Sequence, residues 1–192
     1  MFIPVVFCGG QYNHLIVRAL RELGVESRLV PMTTIKLEGL EAMEVDGLVM
    51  GGGPYSVRDG LEQFGDLPRI IMEANFPIFG ICLTHQLIGK LLGGEIVKGS
   101  KPEFGKITVY VIDKDDILRG LSPSFEAWAS HNDEVVRTSK ESFEVLAHSD
   151  FCSVEALKDR RRPIYGVQFH IEVADTPRGK EVLSNFIEVC RR

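Results

Sequence analysis

Apolar residues in this chain fall into short blocks whose period switches between that of a strand and that of a helix. Residues 3–7 form an apolar run of strand length that ends at Cys8-Gly9-Gly10-Gln11-Tyr12. Leu15, Ala19, Leu20 and Leu23 then line one stripe, which predicts a helix over 13–23, ended by Gly24. Residues 26–30 read as a second strand and 47–50 as a third, followed at once by Gly51-Gly52-Gly53-Pro54. Residues 68–74 are helical. Residues 77–81 have the length and composition of a buried strand. That run breaks at Cys82, and 83–92 read as a helix stopped by Gly93 and Gly94. Strands that alternate with helices, with glycines after the strands, predict a parallel sheet covered on both faces. The active crevice of such a sheet lies beyond the carboxyl ends of its strands, where the glycine turns and Cys82 fall.

The second half changes period. Ile107, Val109 and Val111 alternate with Lys106, Thr108 and Tyr110, the pattern of a half-buried strand. Residues 125–130, 134–137, 143–148, 154–157 and 164–169 also read as strands, and 177–190 as a closing helix. This half is expected to add an antiparallel layer to the parallel sheet.

Composition narrows the function classes. A chain of 192 residues, 44% apolar and 26% charged, is expected to form one soluble domain. A net charge of −5, with Arg160-Arg161-Arg162 as the only basic cluster, argues against a nucleic-acid partner. The N-terminus has no signal-peptide pattern and no run has the length of a membrane span, so a cytoplasmic protein is expected. Cys8, Cys82, Cys152 and Cys190 have no paired spacing, which reads as reduced thiols and not as disulfides or a zinc site.

Cys82 is where chemistry enters. A cysteine on a sharp strand-to-helix turn sits near a helix N-terminus, whose partial positive charge favours the nucleophilic thiolate. The plainer reading is a small buried hydrophobe, the usual state of a free cysteine. His170-Ile171-Glu172 follows the last strand, and in an extended segment residues two apart share a face. Glu172 can then orient His170 toward a nucleophile, the arrangement used in thiol-based acyl transfer. A short H-x-E motif alone is more often a surface pair. Acyl transfer also needs backbone donors for the oxyanion. Leu83 N–H and the Gly51-Gly52-Gly53 turn are the candidates, although such a turn alone is simply a tight bend.

Taken together, Gly80-Ile81-Cys82-Leu83-Thr84-His85-Gln86, Gly52-Gly53-Pro54 and His170-Ile171-Glu172 resemble the motifs of class I (triad-type) glutamine amidotransferases. The resemblance spans essentially the whole chain. Within that family the chain is most similar to the stand-alone glutaminase subunits of GMP synthases. The cues are Gly9-Gly10-Gln11-Tyr12, Lys101-Pro102-Glu103-Phe104-Gly105-Lys106 and Trp128-Ala129-Ser130-His131-Asn132-Asp133-Glu134.

The resemblance implies a flavodoxin-like three-layer α/β domain over residues 1–192, with a mostly parallel central sheet and a small added antiparallel sheet. It implies that Cys82 attacks the side-chain amide of glutamine, His170 shuttles the proton and Glu172 orients His170. Gly53 and Leu83 would supply the oxyanion hole. Gly52, Gln86 and the backbone of Ser130 and His131 would hold the substrate. No metal or cofactor is expected on the chain itself. ATP and Mg would belong to a partner, the ATP-pyrophosphatase subunit of GMP synthase, which aminates XMP. The rival readings are a glutaminase of another pathway, such as anthranilate synthesis, and a non-catalytic regulatory homologue.

Four positions depart from the family's pattern. Thr84 and Ile171 stand where glycine and proline are usual, Phe7 near where an Asp is usual, and Gly51 where serine is common. Thr84 either crowds Leu83 N–H and Gly53 or is absorbed by a local pocket.

Overall fold

The computed structural model describes residues 1–114 and 116–192. In chain order its main elements are Val5–Phe7 (β1), Asn13–Glu22 (α1), Leu29–Pro31 (β2), Leu37–Ala42 (α2), Leu48–Met50 (β3), Leu67–Glu73 (α3) and Ile78–Ile81 (β4). Then come Leu83–Leu91 (α4), Glu95–Val111 (β5), Ser124–Val136 (β6), Phe143–His148 (β7), Ala156–Asp159 (β8), Ile164–Val167 (β9) and Gly179–Cys190 (α5). The strands form one nine-stranded sheet in the order β2-β1-β3-β4-β9-β8-β7-β5-β6. The first five of that order are parallel. The remaining strands join antiparallel.

Alternation along the parallel strands builds the layers. Val5, Val49, Phe79, Ile81, Tyr165 and Val167 face one core, which Ile16 and Leu20 of α1 and Val182, Leu183 and Phe186 of α5 complete. Val6, Leu48, Met50, Ile78 and Ile164 face the other, against Leu40 of α2, Ile70 of α3 and Leu87 and Ile88 of α4. Successive residues of a strand point to opposite faces, so apolar three- and four-residue strands feed both cores at once. The result is the flavodoxin-like three-layer arrangement, with strand order reversing around β1. The expected antiparallel part is present, and it extends the same hydrogen-bonded ladder through β8 instead of stacking on it.

Several boundaries differ from the sequence pattern. Residues 26–30 make only a bridge from Glu26 to Phe2 before β2 begins at Leu29. The strand expected at 154–157 begins at Ala156, because Ser149 N–H bonds to Cys152 O and turns the chain first. The last strand stops at Val167, leaving His170 in a lone bridge with Trp128. The segments expected at 125–130 and 134–137 are one continuous strand, β6. Helix α2 escapes the pattern because it has six residues, with Gly39 inside and only Leu37 and Leu40 buried. The first part of β5 escapes it because Lys98, Ser100 and Lys101 give no apolar alternation; a bulge lies between Lys98 and Glu103.

Candidate active site

Cys82 joins β4 to α4 with φ 55° and ψ −105°, a left-handed conformation that costs a non-glycine residue energy. The strain is held from both sides. Cys82 N–H donates to Val167 O at 2.8 Å, and its carbonyl accepts Gln86 N–H at 3.1 Å in the first turn of α4. The elbow presents Sγ above the carboxyl edge of the sheet while the residue stays 8% exposed.

His170 and Glu172 meet beside it. His170 Nδ1 lies 2.7 Å from Glu172 Oε1, and the Glu172 side chain is 2% exposed. The strand has ended by then, so backbone bonds hold His170: its N–H donates to Trp128 O at 2.9 Å. Thr176 Oγ1 donates to His170 O at 2.5 Å and accepts Trp128 N–H at 2.9 Å, closing a loop between β6 and the His170 segment. Ile171 turns into the core, 4% exposed, so the residue between His and Glu is out of the site.

Burial lowers the His170 pKa. Hydrogen bonds to Cys82 and Glu172 and the negative charge of both outweigh it, and His170 is raised to about 10. A proton therefore stays on this imidazole through neutral pH, which is the state that stabilises a neighbouring thiolate. In its neutral form the Cys82 thiol donates to Ser130 O at 3.8 Å, and Gln168 Nε2 donates to Sγ at 3.7 Å. His85, also near the elbow, is different: it is fully buried, with Nε2 3.0 Å from Val154 O. Burial drops its pKa to about 3, which removes it as an acid–base partner.

A cavity of about 320 Å³ opens over Cys82, lined by residues 9–13, Gly52, Gly53, Pro54, Ser130, His170 and Glu172. A Cβ placed on Gly52 would stand 3.4 Å from His170 Cε1 and 3.5 Å from Cys82 Cβ, so the glycine turn faces the pair directly. A larger groove of about 560 Å³ beside α1 is lined by His14, Arg18, Arg21 and Arg28 and holds no nucleophile. Chemistry, not volume, selects the smaller cavity.

Asn13 controls the turn. Its Nδ2 donates to Gly10 O at 2.8 Å and Gly52 O at 3.0 Å, and Gly10 N–H also donates to Gly52 O at 3.1 Å. In a planar trans peptide the Gly53 N–H points opposite to the Gly52 carbonyl, so the same bonds set the direction of that donor. Asn13 Oδ1 would lie 1.7 Å from a Cβ on Gly51, which explains glycine at that position. The sequence pattern shows Asn13 only as the start of a helix, and it shows Thr176 and Gln168 not at all.

Gln86 turns its side chain inward, and so does His131, whose expected contribution is its backbone. Gln86 Nε2 donates to Asp133 O at 2.7 Å and Gln168 Oε1 at 3.1 Å, and neither Gln86 nor His131 lines the cavity. His131 Nδ1 lies 3.1 Å from Asp133 O, with Nε2 turned to Glu103 at 3.1 Å. Ser130 and Gly52 do line the cavity. Phe7 is 41% exposed at the end of β1.

Thr84 is absorbed. It is fully buried, its Oγ1 donates to Met50 O at 2.7 Å and accepts Ile81 N–H at 2.9 Å, and so it ties the elbow to β3. Thr84→Val keeps the shape but removes both hydroxyl hydrogen bonds, the one donated to Met50 O and the one accepted from Ile81 N–H. Urea unfolding should show a loss of about 1–3 kcal/mol. A loss below roughly 0.5 kcal/mol, within the range of an indifferent substitution, would mean the hydroxyl is not used.

The family model for "Glutamine amidotransferase class-I" matches residues 5–190. A glutamine-hydrolysing GMP synthase subunit of Sulfolobus acidocaldarius is 49% identical over 193 residues, covering 100% of both chains. The protein of the same name from Methanocaldococcus jannaschii is 47% identical, covering 98% of this chain and 97% of its own. A solved structure from Thermoplasma acidophilum, a candidate for the same GMP synthase subunit, superposes with TM-score 0.91 at 38% identity, covering 100% of this chain and 94% of that one. A glutamine amidotransferase from Thermotoga maritima shares the fold, with TM-score 0.80 at 17% identity, covering 99% and 97%.

Proposed function

The chain belongs to the class I glutamine amidotransferases, and from that premise we propose that it hydrolyses glutamine through a Cys82 thioester and hands the ammonia to a separate synthetase subunit that makes GMP. The observation that carries the reading is Cys82 on a strained elbow beside a His170–Glu172 pair 2.7 Å apart. Sγ attacks the side-chain amide carbon, and the oxyanion accepts from Gly53 and Leu83 N–H. Leu83 N–H belongs to the first turn of α4, whose N–H groups have no partner within the helix. His170 then gives its proton to the leaving ammonia, the C–N bond breaks, and a γ-glutamyl thioester remains. Water, deprotonated by His170, releases glutamate and restores the thiol. Glu172 holds the imidazole with Nε2 toward the sulfur throughout.

The names of the relatives support GMP synthesis over anthranilate synthesis, and an intact triad supports turnover over a silent homologue. The partner would bring ATP, Mg and XMP. Among the described residues no helix is long and apolar enough to cross a membrane.

The test mixes the chain with an ATP-pyrophosphatase subunit of GMP synthase and supplies XMP, ATP, Mg and glutamine. Glutamine-dependent GMP formation that needs both chains is expected. Glutamine hydrolysis with no GMP formed would leave the glutaminase and overturn the pathway; neither activity would overturn both.

A further inference from the structure

We propose that Glu103, His131, Cys152 and Glu155 form a buried binding site for a divalent cation of the zinc class, behind the wall of the active site. Their ligand atoms all lie within 4.8 Å of one another, and all four residues are buried. No spacing in the sequence reveals them. The β5–β6 register sets Glu103 opposite His131, and the turn from Ser149 to Cys152 folds Cys152 and Glu155 back onto that pair.

The donor set is the first argument. One sulfur, one imidazole nitrogen and two carboxylates suit a borderline-soft, four-coordinate ion. A tetrahedral zinc site needs ligand atoms roughly 3.3–3.8 Å apart, so the side chains close in by about 1 Å or less.

Unmet valence is the second, independent argument. Glu155 is fully buried, and neither of its carboxylate oxygens makes a hydrogen bond of ordinary geometry among the described residues, although Ser149 and the Glu103 carboxyl lie beside it. Glu103 Oε1 accepts from Ser149 Oγ at 2.8 Å, while Oε2 faces His131 Nε2 at 3.1 Å. Two carboxylates pointing into one dry space need a cation or a proton between them. Without a metal, burial and the charge of Glu103 push the Glu155 carboxyl well above its usual range, and burial pushes the Cys152 thiol up. An entering metal expels the Glu155 and Cys152 protons and takes the two freed lone pairs. Access is short: Glu103 and Ser149 also line a surface cavity of about 270 Å³.

Such an ion would staple the β5–β6 bulge to the turn before β8. His131 is a ligand and its neighbour Ser130 accepts from Cys82, so the site braces the active-site wall.

The test uses the full chain carrying Cys82→Ala, so that the catalytic thiol cannot hold the metal. After stripping with a chelator, the chain is titrated with zinc chloride against a chromophoric competitor. One equivalent with Kd on the order of micromolar or tighter is expected. Cys152→Ser or Glu155→Gln, each added to that background, should weaken it by at least about tenfold. Cobalt(II) in place of zinc should give a thiolate charge-transfer band that Cys152→Ser removes. This band reports on the intact cluster even if Glu155→Gln fails to fold. No zinc and no band in the Cys82→Ala chain would mean that Glu103 and Glu155 only share a proton. Binding that survives Cys152→Ser would place the metal elsewhere. Either result overturns the proposal.

Discussion

Cys82→Ala is expected to lower glutamine hydrolysis by on the order of 10⁴-fold or more, and to leave GMP synthesis from free ammonia by the proposed partner untouched. The loss is large because no other thiol can stand in. Cys8 is buried, and burial pushes its thiol up to about 12; the same cause puts Cys190 at about 12. Neither lines the cavity over the elbow. Folding should survive, since alanine keeps the Cβ and meets the same strain at φ 55° that cysteine meets. A second readout is the proton on His170. Burial lowers that pKa, and Cys82 raises it both as hydrogen-bond partner and as charge. With the sulfur gone, Glu172 alone opposes burial, and the His170 pKa should fall from about 10 toward its ordinary range. NMR titration of the ring proton measures the change. An unchanged glutaminase rate would remove Cys82 as nucleophile, and an unchanged His170 pKa would separate the two groups.

How much of this was legible in the chain depends on sequence distance. The elbow was readable because strand, cysteine and helix are contiguous, and Glu172 because it lies two residues from His170. The parallel layers were readable because apolar strands alternate with amphipathic helices. Asn13 was not, since its meaning lies in Gly52, 39 residues away. Thr176 and Gln168 act through backbone and sulfur groups that no local period reports. The first part of β5 is polar along one edge and carries a bulge, so its register, and with it the Glu103–His131 pair, exists only once β6 is laid against it. Thr84 was open for another reason. Its β-branched side chain crowds or braces according to what lies behind it, and Met50 O turns out to be there.

His170→Ala should lower glutamine hydrolysis by roughly 10² to 10⁴-fold, the usual contribution of a positioned acid–base group. Glu172→Ala should cost less, by about one to two powers of ten. The reason lies in how the histidine is held. Its backbone is fixed by Trp128 O and Thr176 Oγ1 independently of Glu172, so deleting the carboxylate leaves the base in place. What is lost is the acceptor 2.7 Å from Nδ1, and with it the ring orientation and part of the charge that keeps the proton on. The two effects separate in Glu172→Gln, whose amide oxygen can still accept from Nδ1 but carries no charge. Orientation should then be kept while the His170 pKa falls. Activity needs a proton on His170 for the departing ammonia, so the rate should fall as pH rises through that pKa. The alkaline limb of kcat/KM is therefore expected at lower pH in Glu172→Gln than in wild type, with a rate near neutral pH closer to wild type than that of Glu172→Ala. Steady-state kinetics of the three variants across pH decide it. A loss at Glu172 more severe than at His170, or an alkaline limb that does not move, would contradict the orienting and charge-holding role of this carboxylate.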